Sequence, residues 1–217
     1  MKNKIIFTLP PKGIFTRNNI DDPLDFYYRP IVGSIYKARI QNGLSLLNNE
    51  NFDSILEFGY GSGLLLPTLA SISKTLHAID TESDIEKARI SINKLKLQVE
   101  LKKENIFSAN YQSNSFDLIA AFSVFEHISD PEAILAEMER ILKPGGKLLV
   151  GMPRVDIIMT QFFNTIGFRN IGNHHVKNHK AFIQDASRHF KVLKTSHIPK
   201  YLPSFAGLYF NMLFVKQ

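Results

Sequence analysis

At 217 residues the chain has room for one domain with a sizeable core and too little for two comfortable ones. It contains no cysteine, which excludes disulfides, thiolate metal sites and every mechanism with a cysteine nucleophile. A chain that is 44% apolar and 21% charged is an ordinary globular one, and a net charge of +6 allows either plain solubility or an anionic partner. Basic residues gather at Lys2, Lys4, Lys12 and Arg17 and again from Lys177 to Lys200, but no run is dense enough to argue for nucleic acid.

The apolar stretch Ile5 to Leu9 is too short for a signal peptide, and Pro10-Pro11 interrupts it. No apolar run approaches the roughly 20 residues needed to span a bilayer. A cytoplasmic protein without a transmembrane segment is expected. Residues 1–30 lack periodicity and carry five Pro or Gly breakers at Pro10, Pro11, Gly13, Pro23 and Pro30, so they read as an extended arm. Residues 31–217 read as one domain. In it a first helix is expected from Ile31, with a stripe of Ile31, Ile35, Ala38, Leu44 and Leu47.

Strand and helix then alternate. Strands are expected at Ser54 to Phe58, Thr75 to Ile79, Val99 to Lys103, Phe116 to Phe122 and Lys147 to Met152. Helices are expected at Gly63 to Ser73, at Ser83 to Leu95 and after Asp130-Pro131, the last ending at Lys143-Pro144-Gly145-Gly146. Beyond Met152 the pattern gives helices at Val155 to Ile166 and Lys180 to His189, and closing strands at Phe190 to Lys194 and Gly207 to Val215. This alternation specifies an α/β fold of the Rossmann-like, three-layer kind, with ligands at the carboxyl ends of the strands.

One loop carries chemistry. Glu57-Phe58-Gly59-Tyr60-Gly61-Ser62-Gly63 follows a strand and precedes a helix, so its backbone can turn sharply and approach a ligand. The same glycines also suit a tight turn with no ligand. Two acids argue for one. Asp80 ends the next strand, where a carboxylate can accept both hydroxyls of a ribose. Glu57 lies where an acid repels a pyrophosphate and attracts an ammonium. The pair therefore suits an adenosyl amino acid better than NAD, whose oxidoreductases also need two residues before the third glycine where this chain has Ser62 alone.

Together with Asn114-Ser-Phe-Asp-Leu-Ile119, Phe125-Glu-His-Ile128 and Ile141-Leu-Lys-Pro-Gly-Gly146, these motifs resemble the class I S-adenosylmethionine-dependent methyltransferases, within them the small-molecule branch of ubiquinone and menaquinone enzymes. The resemblance covers about residues 50 to 155. It implies a seven-stranded, mostly parallel sheet with its last strand antiparallel, and S-adenosylmethionine as cofactor. It places Gly59, Gly61 and Gly63, with Tyr60 and Ser62 between them, around the methionine part, and Asp80 with Thr81 at the ribose. Ile85 would pack on the adenine, and Asn105 and Ile106 would meet its edge, with Asn105 replacing the usual aspartate. Phe122 and Ser123 would border the transferred methyl, although Phe122 equally suits core packing.

Methyl transfer from a sulfonium mainly needs alignment, and a base only where the acceptor's proton has a high pKa. His127 is the candidate base, with capping or packing of its loop as the plainer role; Glu126 shares that ambiguity. His174, His175, His179, His189 and His197 form a second group, in which the spacing of His175 and His179 is compatible with a metal; no metal is expected, and a loop facing the acceptor fits better. Tyr27, Tyr28 and Arg29, with an insert spanning about residues 155–180 and rich in Phe162, Phe163, Ile166 and Phe168, form a candidate lid. Apolar residues beside a basic surface suit a lipid-like or aromatic acidic small molecule, with no nucleic acid. A cofactor-binding module without catalysis is the alternative.

Overall fold

The computed structural model describes residues 4–18, 22–154 and 178–217. Seven strands run Phe52–Phe58 (β1), Ser73–Ile79 (β2), Glu100–Lys102 (β3), Phe116–Phe122 (β4), Leu142–Pro153 (β5), Phe190–Ile198 (β6) and Tyr209–Lys216 (β7). They form one sheet in the order β3-β2-β1-β4-β5-β7-β6. β1 to β5 pair in parallel, and β7 runs antiparallel to both of its neighbours. The α/β class, the seven strands and the reversed last strand are as the sequence and its resemblance imply.

The central strands are buried on both faces, which explains their unbroken apolar runs. Because successive side chains alternate, each strand feeds two cores. Ile55, Leu118, Ala120, Leu149 and Leu213 point to one face. Leu56, Ile119, Ala121, Leu148, Val150, Met212 and Phe214 point to the other. Helices Pro30–Leu44 (α1), Leu66–Ala70 (α2) and Ile85–Lys94 (α3) supply residues to the first core. Glu132–Ile141 (α4) and His179–Ala186 (α5) supply residues to the second.

Several expected boundaries move for local reasons. α2 spans five residues instead of the eleven from Gly63 to Ser73. Pro67 is why: it lacks an N–H and fits only the first turn. Asp130 does cap the next helix, its Oδ1 accepting from Glu132 N at 3.2 Å, but Pro131 falls at the cap position and not inside the helix. Lys143 to Gly146, expected as a stop, lies within β5, where Gly145 takes φ +72 and the pairing register with β4 slips. α5 starts at His179, capped by Asn178 on the N–H groups of Lys180 and Ala181, and β6 runs on to Ile198.

Two corrections are larger. The expected stripe faces the core only at its end: Leu44 and Leu47 are buried, but Ile31 and Ile35 are 80% and 47% exposed and Gly33, Ile40 and Gly43 are buried in their stead. The segment before the helix takes part in this: the Tyr27 carbonyl lies against Gly33, and the rings of Phe26 and Tyr27 pack on Tyr36 of the helix. Nor is the stretch before α1 merely an extended arm. Ile5, Phe7 and Phe15 are buried in the first core, and Pro23–Tyr28 coils into a 3-10 helix. Gln41 fastens the arm by accepting from Phe7 N at 2.8 Å and donating to Ile5 O at 2.9 Å. The helix expected at Val155 to Ile166 and nearly all of the expected lid lie outside the described residues.

Phe122, at the end of β4, is wedged between two glycines. A Cβ on Gly151 would stand 2.5 Å from its ring and 2.7 Å from the Tyr209 hydroxyl; one on Gly43 would stand 2.7 Å from the same ring. Gly151→Ala should therefore overpack this slot, lowering stability by about 1–3 kcal/mol and the Tm by roughly 2–12 °C. Thermal unfolding followed by circular dichroism checks it; an unchanged Tm would show that Phe122 is free to move aside.

Candidate functional site

The loop between β1 and α2 brings the predicted residues to the carboxyl end of the sheet. Gly59, Gly61 and Gly63 all have positive φ, at +77, +54 and +85. Gly59 also needs its missing side chain, because a Cβ there would stand 2.4 Å from Val124. At Gly61 a Cβ would meet nothing within 4 Å, so the backbone there faces open space in which a ligand can approach. Tyr60 and Ser62 are buried. Ser62 bonds to the Asp22 carboxylate of the arm, and the Tyr60 hydroxyl is covered without a partner, burial pushing its pKa up to about 12.

Asp80 organises this loop. Its Oδ2 accepts from Gly61 N at 2.9 Å, and its Oδ1 accepts from Glu82 N and Ser83 N at 2.8 and 2.9 Å. Two carboxylate oxygens have about four acceptor positions, so one remains for a ligand hydroxyl. Thr81 beside it is exposed. Ser83 returns a bond to Gly61 O at 3.0 Å and receives one from Asn18 of the arm at 3.1 Å. The arm thus closes one wall of the crevice, a role that its lack of periodicity did not signal.

Glu57 is 5% exposed, and its Oε2 has no hydrogen-bond partner. Burial, and then the Asp80 charge, hold its carboxyl well above the usual carboxylate range. A buried acid without a partner beneath a glycine loop fits a cationic group arriving from a ligand. On the adenine side, Ile85 is partly buried at the start of α3 and Ile106 is 1% exposed within the second core. The amide oxygen of Asn105 already closes its own turn, accepting from Phe107 N and Ser108 N at 3.0 and 2.9 Å. Its NH2 group and a second lone pair remain.

Past β4 the chain turns at Ser123, in the left-handed region at φ +57, so its hydroxyl meets Tyr209 at 3.0 Å. Phe125–His127 forms a single 3-10 turn that points the two candidate groups in opposite directions. His127 is exposed, whereas Glu126 is 1% exposed with Oε2 unpartnered. Burial pushes the Glu126 carboxyl up to about 8, against smaller lowering effects that include Arg39 and a hydrogen bond with Ser123. The inward acid was legible only as a motif member; its burial needed the fold.

The three described members of the histidine group do not assemble. His174 and His175 lie outside the described residues. His179 stacks on Phe210 with ring centroids 3.5 Å apart, and burial lowers its pKa to about 4. His189 bridges Glu132 and Glu139 at 3.0 and 2.8 Å, and His197 meets Leu202 O at 2.8 Å. Among the described residues no three potential ligands cluster as a metal site, and no helix is long and apolar enough to cross a membrane.

Because the folded-state pKa of Glu126 is raised, the native state holds its proton where the unfolded chain has released it. Its contribution to stability is complete below about pH 4.5 and is lost as pH rises to about 8. The upper limit of this loss is on the order of 4–5 kcal/mol. Glu126→Gln should match the wild type near pH 4.5 and exceed it in Tm by pH 8.5. A Tm difference that stays constant over that range would refute the buried, protonated acid.

A family model described as "Methyltransferase domain" matches residues 56–150. A ubiquinone biosynthesis O-methyltransferase of Xanthomonas oryzae pv. oryzae is 35% identical over 98 residues, covering 44% of this chain and 41% of that protein. The match thus spans about two fifths of that curated relative's length. Among solved structures, the N-methyltransferase NodS from Bradyrhizobium japonicum WM9 in complex with S-adenosyl-L-homocysteine has TM-score 0.64 at 19% identity, covering 90% of this chain and 92% of that one. A putative sarcosine dimethylglycine methyltransferase from Galdieria sulphuraria has TM-score 0.67 at 15% identity, covering 94% and 92%. These identities carry the fold, and the family match carries the sequence signature. Residues 56–150 thus match a methyltransferase-domain model, and the chain has the fold of these solved methyltransferase structures.

Proposed function

We propose that the chain transfers a methyl group from S-adenosylmethionine to a small-molecule acceptor by in-line displacement. The observation that supports this best is Glu57, a buried acid with an unpartnered oxygen beneath a glycine loop whose middle glycine faces open space. A cofactor with an ammonium group can ionise that acid and pair with it; a dinucleotide pyrophosphate offers it no countercharge. In this reading Gly59, Gly61 and Gly63 line the methionine part, Tyr60 and Ser62 stiffen the loop, and Asp80 with Thr81 takes the ribose. Ile85, Asn105 and Ile106 border the adenine, while Phe122 and Ser123 border the methyl.

S-adenosylmethionine, when bound, supplies an activated methyl and a neutral leaving group. The chain's part is to hold the acceptor atom in line and to exclude water. A proton leaving the acceptor has His127, on the exposed side of this turn, as its candidate receiver; Glu126, on the buried side, favours the protonated form and would take a proton only once ionised. The acceptor we expect is a small, anionic or lipid-like molecule. A cytoplasmic setting belongs to the same reading.

Calorimetry with S-adenosylhomocysteine is expected to show one saturable site, weakened at least roughly tenfold in Asp80→Ala, a loss of about 1.4 kcal/mol. No saturable binding, or equal binding by the variant, would sink the cofactor assignment; stabilisation by NADH instead would favour an oxidoreductase. Glu57 adds a second expectation. Burial favours the protonated form of this carboxyl and pairing with an ammonium favours its ionised form, so binding is expected to release a proton and to tighten as pH rises. Titrations in phosphate and in Tris should therefore give different apparent enthalpies, and Glu57→Gln should abolish the difference. Identical enthalpies in the wild type would remove Glu57 from the site.

A further inference from the structure

Arg39 lies on α1 with its guanidinium among three tyrosine rings, 4.3 Å from the centroid of Tyr36, 5.3 Å from Tyr209 and 5.4 Å from Tyr27. Its Nη2 donates to the Tyr27 hydroxyl at 2.9 Å, and Nη1 reaches the Ser123 hydroxyl at only 3.5 Å. Nε is covered and has no acceptor. These partners are neutral, and among the described residues no carboxylate forms an ion pair with Arg39. The acid within electrostatic reach is Glu126, whose burial favours the neutral form and whose Oε2 is likewise unpartnered. A guanidinium keeps its charge at any working pH, and enclosing it without an anion is unfavourable.

The location of this uncompensated charge matters. Ser123, which Arg39 touches, ends the turn after β4, and the next residue, Val124, packs on Gly59 of the glycine loop. The cluster therefore lies beside the cofactor crevice, on the side of the candidate methyl-transfer position. Arg39 also keeps partial exposure, so a ligand can reach it.

We propose that Arg39, framed by Tyr27, Tyr36 and Tyr209, receives a carboxylate carried by the methyl acceptor. The inference rests on the cofactor reading above and specifies the acceptor. Nη1 and Nη2 together present paired hydrogens, a fork that matches the two oxygens of a carboxylate. Engaging it exchanges the long contact to Ser123 for two charge-assisted bonds. The tyrosine faces meanwhile offer walls for a flat or apolar body attached to that carboxylate. Arg39 is in this account a specificity residue that fixes the acceptor's register, and the buried Glu126 is left facing the acceptor without competing for the guanidinium.

Titration followed by fluorine NMR at pH 7, with saturating S-adenosylhomocysteine, compares 4-fluorobenzoate with its neutral counterpart 4-fluorobenzamide. The wild type is expected to bind the benzoate roughly tenfold more tightly. In Arg39→Met the preference should fall to about one, and Arg39→Lys, which keeps the charge but not the fork, should lose about threefold or more of the benzoate affinity. Equal affinities in the wild type overturn the proposal, as does undiminished benzoate affinity in Arg39→Lys or, where it folds, an intact preference in Arg39→Met. Binding of S-adenosylhomocysteine, measured on the same samples, reports the cofactor reading separately. Retained cofactor binding without carboxylate preference defeats this inference alone.

Discussion

The site depends on one carboxylate. Asp80 ends β2 and accepts three backbone N–H groups, one from Gly61 in the loop after β1 and two from Glu82 and Ser83 in its own turn. Two adjacent strand ends are thereby fixed to each other, and a glycine loop with three positive-φ positions is held open. Charge-assisted bonds of this kind are stronger than neutral ones, which suits an irregular backbone that has no ladder of its own. The arm extends the network through Asn18 and Ser83, so the crevice is built from three stretches remote in sequence.

Against that frame the crevice holds two buried acids with unpartnered oxygens, Glu57 at the glycine loop and Glu126 past β4. Folding a carboxyl away from water without a partner is unfavourable, and both groups respond by favouring the protonated form. Arg39 has the opposite difficulty, a cation among neutral tyrosines. A protein selected only for stability would pair or remove such groups. Their concentration along one edge of the sheet is what the two proposals draw on, an ammonium answering one end and a carboxylate the other.

Close packing sets the other boundary. Phe122, expected to border the methyl or to pack in the core, fills a slot opened by Gly43 of α1 and Gly151 of β5, while Tyr209 closes the slot and carries the hydroxyl that meets Ser123. The same contacts that seat the aromatic ring thus place the polar cluster beside it. α1 can approach the sheet only because Gly43 has no side chain, and this turns its Arg39 face, not the Ile31 and Ile35 stripe, toward the site.

By itself the sequence determined the alternation of strands and helices and the glycine loop, because these depend on local properties: apolar runs long enough to be buried on both faces, glycines at a strand end, and acids at fixed distances from them. Small errors of extent came from single residues, such as Pro67 shortening α2 and Gly145 bending β5. Only the tertiary structure decided that the arm enters the core, that Glu126 points inward while His127 faces solvent, and that the three described histidines of the later group separate. It also brought Tyr27, Tyr36, Arg39, Ser123 and Tyr209 together, from both ends and the middle of the chain. The physical reason is common to all of these. A polar side chain's role is set by which neighbours share its dry surroundings, and those neighbours are chosen by long-range packing, which no local pattern records.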